Sequence, residues 1–327
     1  MSSSRQPELF DRGPAAPVDA APVTSEARRL ASGLPGTIRL GTSSWSFPGW
    51  EGIVYDRATR SEVLSAHGLA AYARHPLMRC VGLDRGYYGP VPRRDLARYR
   101  DQTPAHFRFL VKADRRLVFP SGPGSDPDRL LDPGWASDVV VGPLVEELGE
   151  GLGAVLFQFP PVPAEAFGGP RAFAERLYRF LRDLPPEIPY AVELRTPGLV
   201  SEDYVQALVH GRATHAYVVH PEMISLEEQL RLIPPAGKGP RVLRWMLQPG
   251  WRYAAARDAW SPFGALRAPD PERRREVAQT IDRLAHSDIS VLAVINNKAE
   301  GSSPLSVLAL ARVLAGFRRA GDFAATN

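Results

Sequence analysis

Val291-Leu292-Ala293-Val294-Ile295 runs directly into Asn296-Asn297-Lys298, then Gly301-Ser302-Ser303-Pro304 and an apolar stretch of helical spacing. An unbroken apolar run of this length reads as a buried strand. Polar residues at its exit, ahead of a Gly/Ser-opened helix, are where α/β proteins place ligands. Residue usage adds weight to the stretch. The chain has three asparagines, and two of them stand here; the other is the C-terminal Asn327. Only three of its 40 basic residues are lysines, Lys112, Lys238 and Lys298. In an arginine-rich chain a lysine is less a generic surface charge than a compact ammonium whose pKa shifts on burial.

The same unit recurs along the chain. Short apolar runs occur at Ile38–Gly41, Cys80–Leu83, Phe107–Val111, Ala154–Phe157, Tyr190–Leu194, Ala213–Val219, Val242–Met246 and Val291–Ile295. Helical spacing fills stretches between them, as in Ser61–Arg74, Ala172–Leu184, Pro271–Ala285 and Pro304–Phe317. Strand and helix in alternation predict a parallel sheet. Eight such units over roughly 280 residues predict a TIM-like (β/α)8 barrel rather than an open doubly wound sheet. The expected organisation is a disordered Pro/Ala/Ser-rich tail over 1–35, one barrel over 36–320 and a disordered C-terminus over 321–327. Pro120–Ser137, Pro221–Pro240 and Gln248–Asp270 read as insertions.

In such a barrel, function concentrates at the C-terminal ends of the strands. The exits are polar. The first leads to Trp45, the second to Asp84 and Tyr87, the third to Lys112 and the fourth to Gln158. The fifth carries Glu193 and Arg195, the sixth His220, the seventh Arg244 and Trp245, and the eighth the Asn-Asn-Lys triplet. Each has a plain structural alternative. Glu193 and Arg195 lie two apart and share a face, so they are either an ion pair closing the mouth or ligand contacts. Gln158 needs hydrogen-bond partners that a neighbouring strand can supply. Ser302 and Ser303 ahead of Pro304 either cap a helix or, with its free N–H groups, attract an anion.

Composition bounds the rest. The chain has 327 residues, 44% hydrophobic, enough for a large core. It shows neither an apolar run of membrane-span length nor a signal core, so a cytoplasmic location without membrane partners is the default expectation. One cysteine, Cys80, excludes an internal disulfide and argues against a thiolate zinc site. There is no His-x-His or His-Glu-x-x-His pair, no phosphate-binding Gly/Lys loop, no strand-linked Gly-x-Gly-x-x-Gly and no Gly-x-Ser-x-Gly elbow. No metal or other cofactor is expected. Net charge is +4, spread along the chain, which gives nucleic-acid binding only a modest lift.

Five segments together resemble a known family. They are LGTSSWSFPGW (40–50), HFRFLVKADR (106–115), LGAVLFQFPP (152–161), YAVELRTPGLV (190–200) and VLAVINNKAEGSSPLSVLALA (291–311). In this order they resemble domain-of-unknown-function family 72, the YecE-like proteins. The resemblance implies a TIM-barrel-like fold. It places Trp45, Lys112, Gln158, Glu193, Arg195 and Asn296 at the family's motif positions, and implies no particular reaction. The chain departs from the pattern at its second strand, where Gly82 stands for a usual Glu and Asp84 for a usual Asn. It departs again after the third, where Leu117, Val118 and Phe119 occupy the region of a usual Thr-His pair. These departures mark a divergent branch and put a Glu/His acid–base pair in question.

Three classes of function follow. The first is an enzyme on a small polar or phosphorylated ligand, with Lys112 and Glu193 as acid/base groups. Trp45, Asp84, Tyr87, Gln158, Arg195, His220, Asn296, Asn297, Lys298, Ser302 and Ser303 would bind the ligand. The second is a nucleic-acid-associated barrel, with the aromatic and Arg-rich Trp251–Phe263 stacking on bases. Gln6-Pro7-Glu8-Leu9-Phe10 also resembles the peptide by which bacterial partners dock on the sliding clamp. The third is a non-catalytic sensor or scaffold.

Overall fold

The computed structural model describes residues 18–122, 124–285 and 289–324, with side chains to 317. Eight strands are hydrogen-bonded in sequence order into a closed, all-parallel barrel. They are β1 (Ile38–Thr42), β2 (Cys80–Leu83), β3 (Arg108–Lys112), β4 (Leu152–Gln158), β5 (Tyr190–Glu193), β6 (Ala213–Val219), β7 (Arg241–Trp245) and β8 (Val291–Ile295). All eight lie within a residue or two of the apolar runs. Each run is buried on both faces, as a parallel strand between barrel interior and helix layer must be.

Alternation along the strands divides the side chains into two cores. Leu40, Phe109, Phe157, Val192, Leu243 and Ile295 pack outward under the helices in the main core. Cys80, Leu110, Ala154, Leu156, Ala191, Ala216, Val242, Leu292 and Val294 fill the interior as a separate cluster. Cys80 is therefore a small interior residue, its thiol pushed up to about 12 by burial. The interior is a packed plug, so only the next inward residue on each strand reaches the mouth.

The closing seam is narrowest between β1 and β2, where only Gly41 and Thr42 are in register with Cys80 and Val81. A Cβ on Gly41 would lie 1.9 Å from the Cys80 carbonyl oxygen, so only glycine permits this approach. The Tyr72 hydroxyl ties the seam from outside. It accepts from Thr42 N (3.0 Å) and donates to the Cys80 carbonyl (3.0 Å). Tyr72→Phe keeps the ring and leaves both backbone groups buried without their partner. A loss of about 1–3 kcal/mol is expected in denaturant unfolding; an unchanged midpoint would show that the seam does not need the hydroxyl.

Several helices start at side-chain caps: Ser201 accepts from Tyr204 N (3.1 Å) and Asp270, before Pro271, from Arg273 N (2.9 Å). The helical pattern over Ser61–Arg74 is two helices, Ser61–His67 and Leu69–Ala73, broken at Gly68. There a Cβ would lie 2.8 Å from the Leu64 carbonyl.

The boundaries of the expected tails need correction. Residues 18–35 are ordered: Ser25–Gly33 is a helix capped by Thr24, and Leu30 and Leu34 are buried in the main core. Arg312 clamps Glu26 through two bonds of 2.8 Å. Composition suggested a tail because alanine, proline and serine dominate, but the few large apolar residues fall on one helix face. At the other end the last helix runs Ser303–Ala324, into the expected C-terminal tail. Gln6–Phe10 lies outside the described residues.

Candidate functional site

The inward alternation delivers a charged layer above the plug. Each mouth residue is two positions beyond an interior one: Lys112 after Leu110, Gln158 after Leu156, Glu193 after Ala191, Arg244 after Val242 and Asn296 after Val294.

Glu193 is the centre. It is fully buried, and each carboxylate oxygen takes a guanidinium: Arg195 Nε at 2.8 Å on Oε1 and Arg244 Nη1 at 2.5 Å on Oε2. Burial alone would raise its pKa. The charges of Arg244 and Arg195, and the hydrogen bonds they donate, outweigh that and hold it at about 2. Arg244 is itself buried and reaches Asp84 with Nη2 at 3.3 Å. Arg195 reaches outward, its Nη1 lying 3.4 Å from His220 Nε2. Gln158, in register with Glu193, donates to the Phe159 carbonyl (2.7 Å).

Both mouth lysines sit against aromatic faces. Lys112 Nζ is 3.6 Å from the Tyr87 ring centre, and Lys298 Nζ is 4.0 Å from that of Tyr253. Lys298 also lies 3.4 Å from Asn296 Oδ1, and Asn296 Nδ2 donates to Ser43 Oγ (2.8 Å). Among the described residues neither lysine has a carboxylate within ion-pair distance. Burial lowers Lys112 to about 8, with Arg244 and Arg195 adding to the effect against Asp84 and Glu193. Burial likewise lowers Lys298 to about 8. His220 is pushed down to about 4 by burial and then by Arg195, so its ring is neutral at pH 7.

The sequence-derived site residues therefore divide. Asp84, Tyr87, Lys112, Gln158, Glu193, Arg195, His220, Asn296 and Lys298 gather at the mouth. Trp45 is elsewhere: its indole donates to the Leu64 carbonyl (3.0 Å) and its ring packs edge-on against Tyr99, under the helices. Asn297, Ser302 and Ser303 are buried in the turn opening the last helix, where Asn297 Oδ1 accepts from Ser303 N and Ser303 Oγ, both at 2.8 Å. Gly301, at φ +112°, is crowded by the chain itself, since a Cβ there would lie 2.6 Å from Arg267 N. Self-capping thus engages Asn297 Oδ1 and Ser303, while among the described residues Asn297 Nδ2 and Ser302 Oγ are buried without a hydrogen-bond partner. Glu193 is engaged by two guanidinium groups, which hold its carboxylate ionised.

Arg244 carries no role in the sequence reading, yet it joins Glu193 to Asp84. Its signal was available, since it lies two residues from Val242 on an apolar strand. Tyr253 could not be singled out from a stretch so rich in aromatics. Of these, Trp260 and Phe263 are buried and Trp251 packs at a tilt against Trp260 with ring centres 4.6 Å apart, whereas Tyr253 is exposed. The departure at Gly82 has a steric basis: a Cβ there would meet Ser43 Cα at 3.1 Å. The acidic group that β2's exit brings to the mouth is Asp84.

Closed parallel barrel and charged mouth together define a (β/α)8 protein with a polar site at the strands' C-terminal ends, the position such barrels use for ligands. Among the described residues no helix is long and apolar enough to cross a membrane, and no cluster of three or more His, Cys, Asp or Glu is arranged to hold a metal. Residues 39–324 match the family described as Protein of unknown function DUF72, and the chain belongs to that family. Among solved structures it is similar to a DUF72 family protein (TM1631) from Thermotoga maritima, with 20% identity over 85% of this chain and 98% of that one, TM-score 0.58. It is also similar to a DUF72 family protein (EF0366) from Enterococcus faecalis, with 17% identity over 85% and 95%, TM-score 0.55. At such identities the likeness is one of fold. No curated protein matches the sequence.

Proposed function

We propose that the barrel mouth binds a small anionic ligand, a carboxylate or a phosphoryl compound. The observation that carries this is the pair of lysines, Lys112 and Lys298, brought to the mouth on β3 and after β8 without carboxylate partners among the described residues. Among the described residues Arg195 and Arg244 pair with Glu193 and Asp84 while Lys112 and Lys298 pair with no carboxylate, an excess of positive charge that a bound anion would balance. His220 adds to the reading. Its Nε2 lies 3.4 Å from Arg195 Nη1 and its Nδ1 3.2 Å from Glu222 N, and a neutral ring, with one acceptor nitrogen, can satisfy only one of these two donors. Trp260 and Phe263 of the Trp251–Phe263 segment are buried, which leaves Tyr253 as its one exposed aromatic and weighs against base stacking as the mode of binding.

Sulfate, whose charge is constant in this range, should raise the melting temperature more than chloride at matched ionic strength, because a ligand of the folded state stabilises by mass action. Lys112→Met and Lys298→Met should each shrink that shift. The shift should also fade as pH rises through about 8, where both lysines lose their protons, whereas ordinary lysines would stay charged to about 10.5. The lysines' own linkage runs the other way. Between about 8 and 10.5 the unfolded chain holds more protons than the folded one, so their contribution to stability without ligand rises with pH. Equal shifts for sulfate and chloride, or a sulfate shift unaffected by both substitutions, would remove the proposed site.

A further inference from the structure

Resting on that reading of the mouth, we infer that Lys112 is a nucleophile that forms an imine with a small carbonyl compound bearing an acidic group, such as a 2-oxo acid or a phosphorylated ketone. Three features of its setting point there. First, Lys112 ends β3 half-buried, its Nζ against the Tyr87 ring. Lys298, in contrast, has the Asn296 carbonyl oxygen 3.4 Å from its Nζ. Among the described residues Lys112 Nζ has no hydrogen-bond acceptor to hold its protons in place.

Second, burial disfavours the ammonium form of Lys112 most strongly, and Arg244 and Arg195 add to it against the opposing charges of Asp84 and Glu193. Near pH 7 roughly a tenth of such a group is the free amine, against less than a thousandth for an ordinary lysine. A lysine beside other cations in a desolvated site is the usual way an amine is made nucleophilic at neutral pH. Third, the neighbours divide the remaining work. Glu193 is spent on two guanidinium groups, and Asp84, held by Arg244 at 3.3 Å, supports the positive charge that an iminium on Lys112 would carry. Arg195 commits Nε to Glu193 and points Nη1 at His220, and among the described residues its Nη2 is free to take an oxygen of the acidic group.

The chemistry balances without another reactant. The Lys112 Nζ lone pair attacks the carbonyl carbon, the C–N bond forms, and the carbonyl electron pair moves to oxygen, which takes a proton from the attacking nitrogen. That oxygen takes a second proton, the one released when the ammonium became the free amine, and leaves as water as the nitrogen lone pair forms the C=N bond. Overall, ammonium and carbonyl compound give iminium and water.

Scarcity of lysine makes the test clean, because only Lys112, Lys238 and Lys298 can carry a side-chain adduct. The full-length protein is incubated at pH 7 with pyruvate, dihydroxyacetone phosphate or acetone, each with cyanoborohydride, which reduces an iminium to a stable secondary amine. Peptide mapping by mass spectrometry then locates the adduct. The expected result is trapping concentrated on Lys112, at least tenfold over exposed Lys238, with one or both anionic compounds. Pyruvate and dihydroxyacetone phosphate separate a carboxylate requirement from a phosphate one. Acetone should give no such enrichment, and equal enrichment with acetone would overturn the acidic-group requirement.

Lys112→Arg keeps the charge but cannot form an imine. It should lose the adduct while retaining part of the sulfate-induced thermal shift. Adducts on Lys112 no more frequent than on Lys238, or concentrated on Lys298, would overturn the assignment. A wild-type protein that responds to sulfate yet fails to trap would leave the anion site standing and remove only the imine. Failure of both would remove the two readings together.

Discussion

Glu193→Ala should destabilise the barrel by about 3–5 kcal/mol, the usual result of removing one partner from a buried ion pair. The loss arises less from the missing carboxylate than from what it leaves behind. Arg244 is buried beneath the mouth, and without Glu193 its remaining acidic contact is the more exposed Asp84 at 3.3 Å. Equilibrium denaturation measures the effect directly. Glu193→Leu combined with Arg244→Met should recover much of the stability, because an apolar pair removes the desolvation problem along with the attraction. The sign of the pH effect follows from the depressed carboxyl. Its stabilisation is complete above about 4.5, the ordinary value, and disappears as pH falls toward about 2. The variant should therefore lose part of the wild type's acid-induced decline. A loss below about 1 kcal/mol for Glu193→Ala would mean that the pair is not desolvated as described.

Deleting residues 1–35 should destabilise the protein by about 3–6 kcal/mol, beyond any effect of deleting 1–17 alone. Leu30 and Leu34 are buried against the barrel, and each such side chain contributes about 1.5–3 kcal/mol when removed from water. The deletion also strips the Arg79 guanidinium of three of its acceptors, the Ala31 (2.5 Å), Leu34 (3.4 Å) and Pro35 (3.2 Å) carbonyls, and leaves it the Pro76 carbonyl at 3.3 Å. Thermal unfolding of the two truncations gives the comparison. Matching melting temperatures would mean that the helix packs without stabilising the barrel.

Strand positions were legible because burial on both faces forces an unbroken apolar run, and eight such runs leave few architectures. Lys112, Gln158, Glu193 and Asn296 were legible for the same reason, as polar residues terminating those runs. The helix at Ser25–Gly33 was not. Its apolar residues are few, and their meaning depends on a groove that the distant helix Ser303–Ala324 helps to form. Trp45 was placed by its nearness to the β1 exit, but a side chain on a loop takes its direction from packing, here toward Tyr99.

Order of elements, parity of the strands and the polar character of the mouth were thus determined by the sequence alone, because backbone periodicity and burial are local consequences of residue type. Which charges neutralise one another was decided only by the closed barrel. Glu193 and Arg244 are 51 residues apart, and Asp84 and Arg244 are 160 apart. Only the ring closure that brings β2, β5 and β7 around one axis makes them neighbours. The same closure places Lys112 and Lys298 at the mouth, in the field of Asp84, and buries both enough to lower their affinity for protons. The chemistry of each lysine therefore depends on its surroundings, which no local pattern encodes.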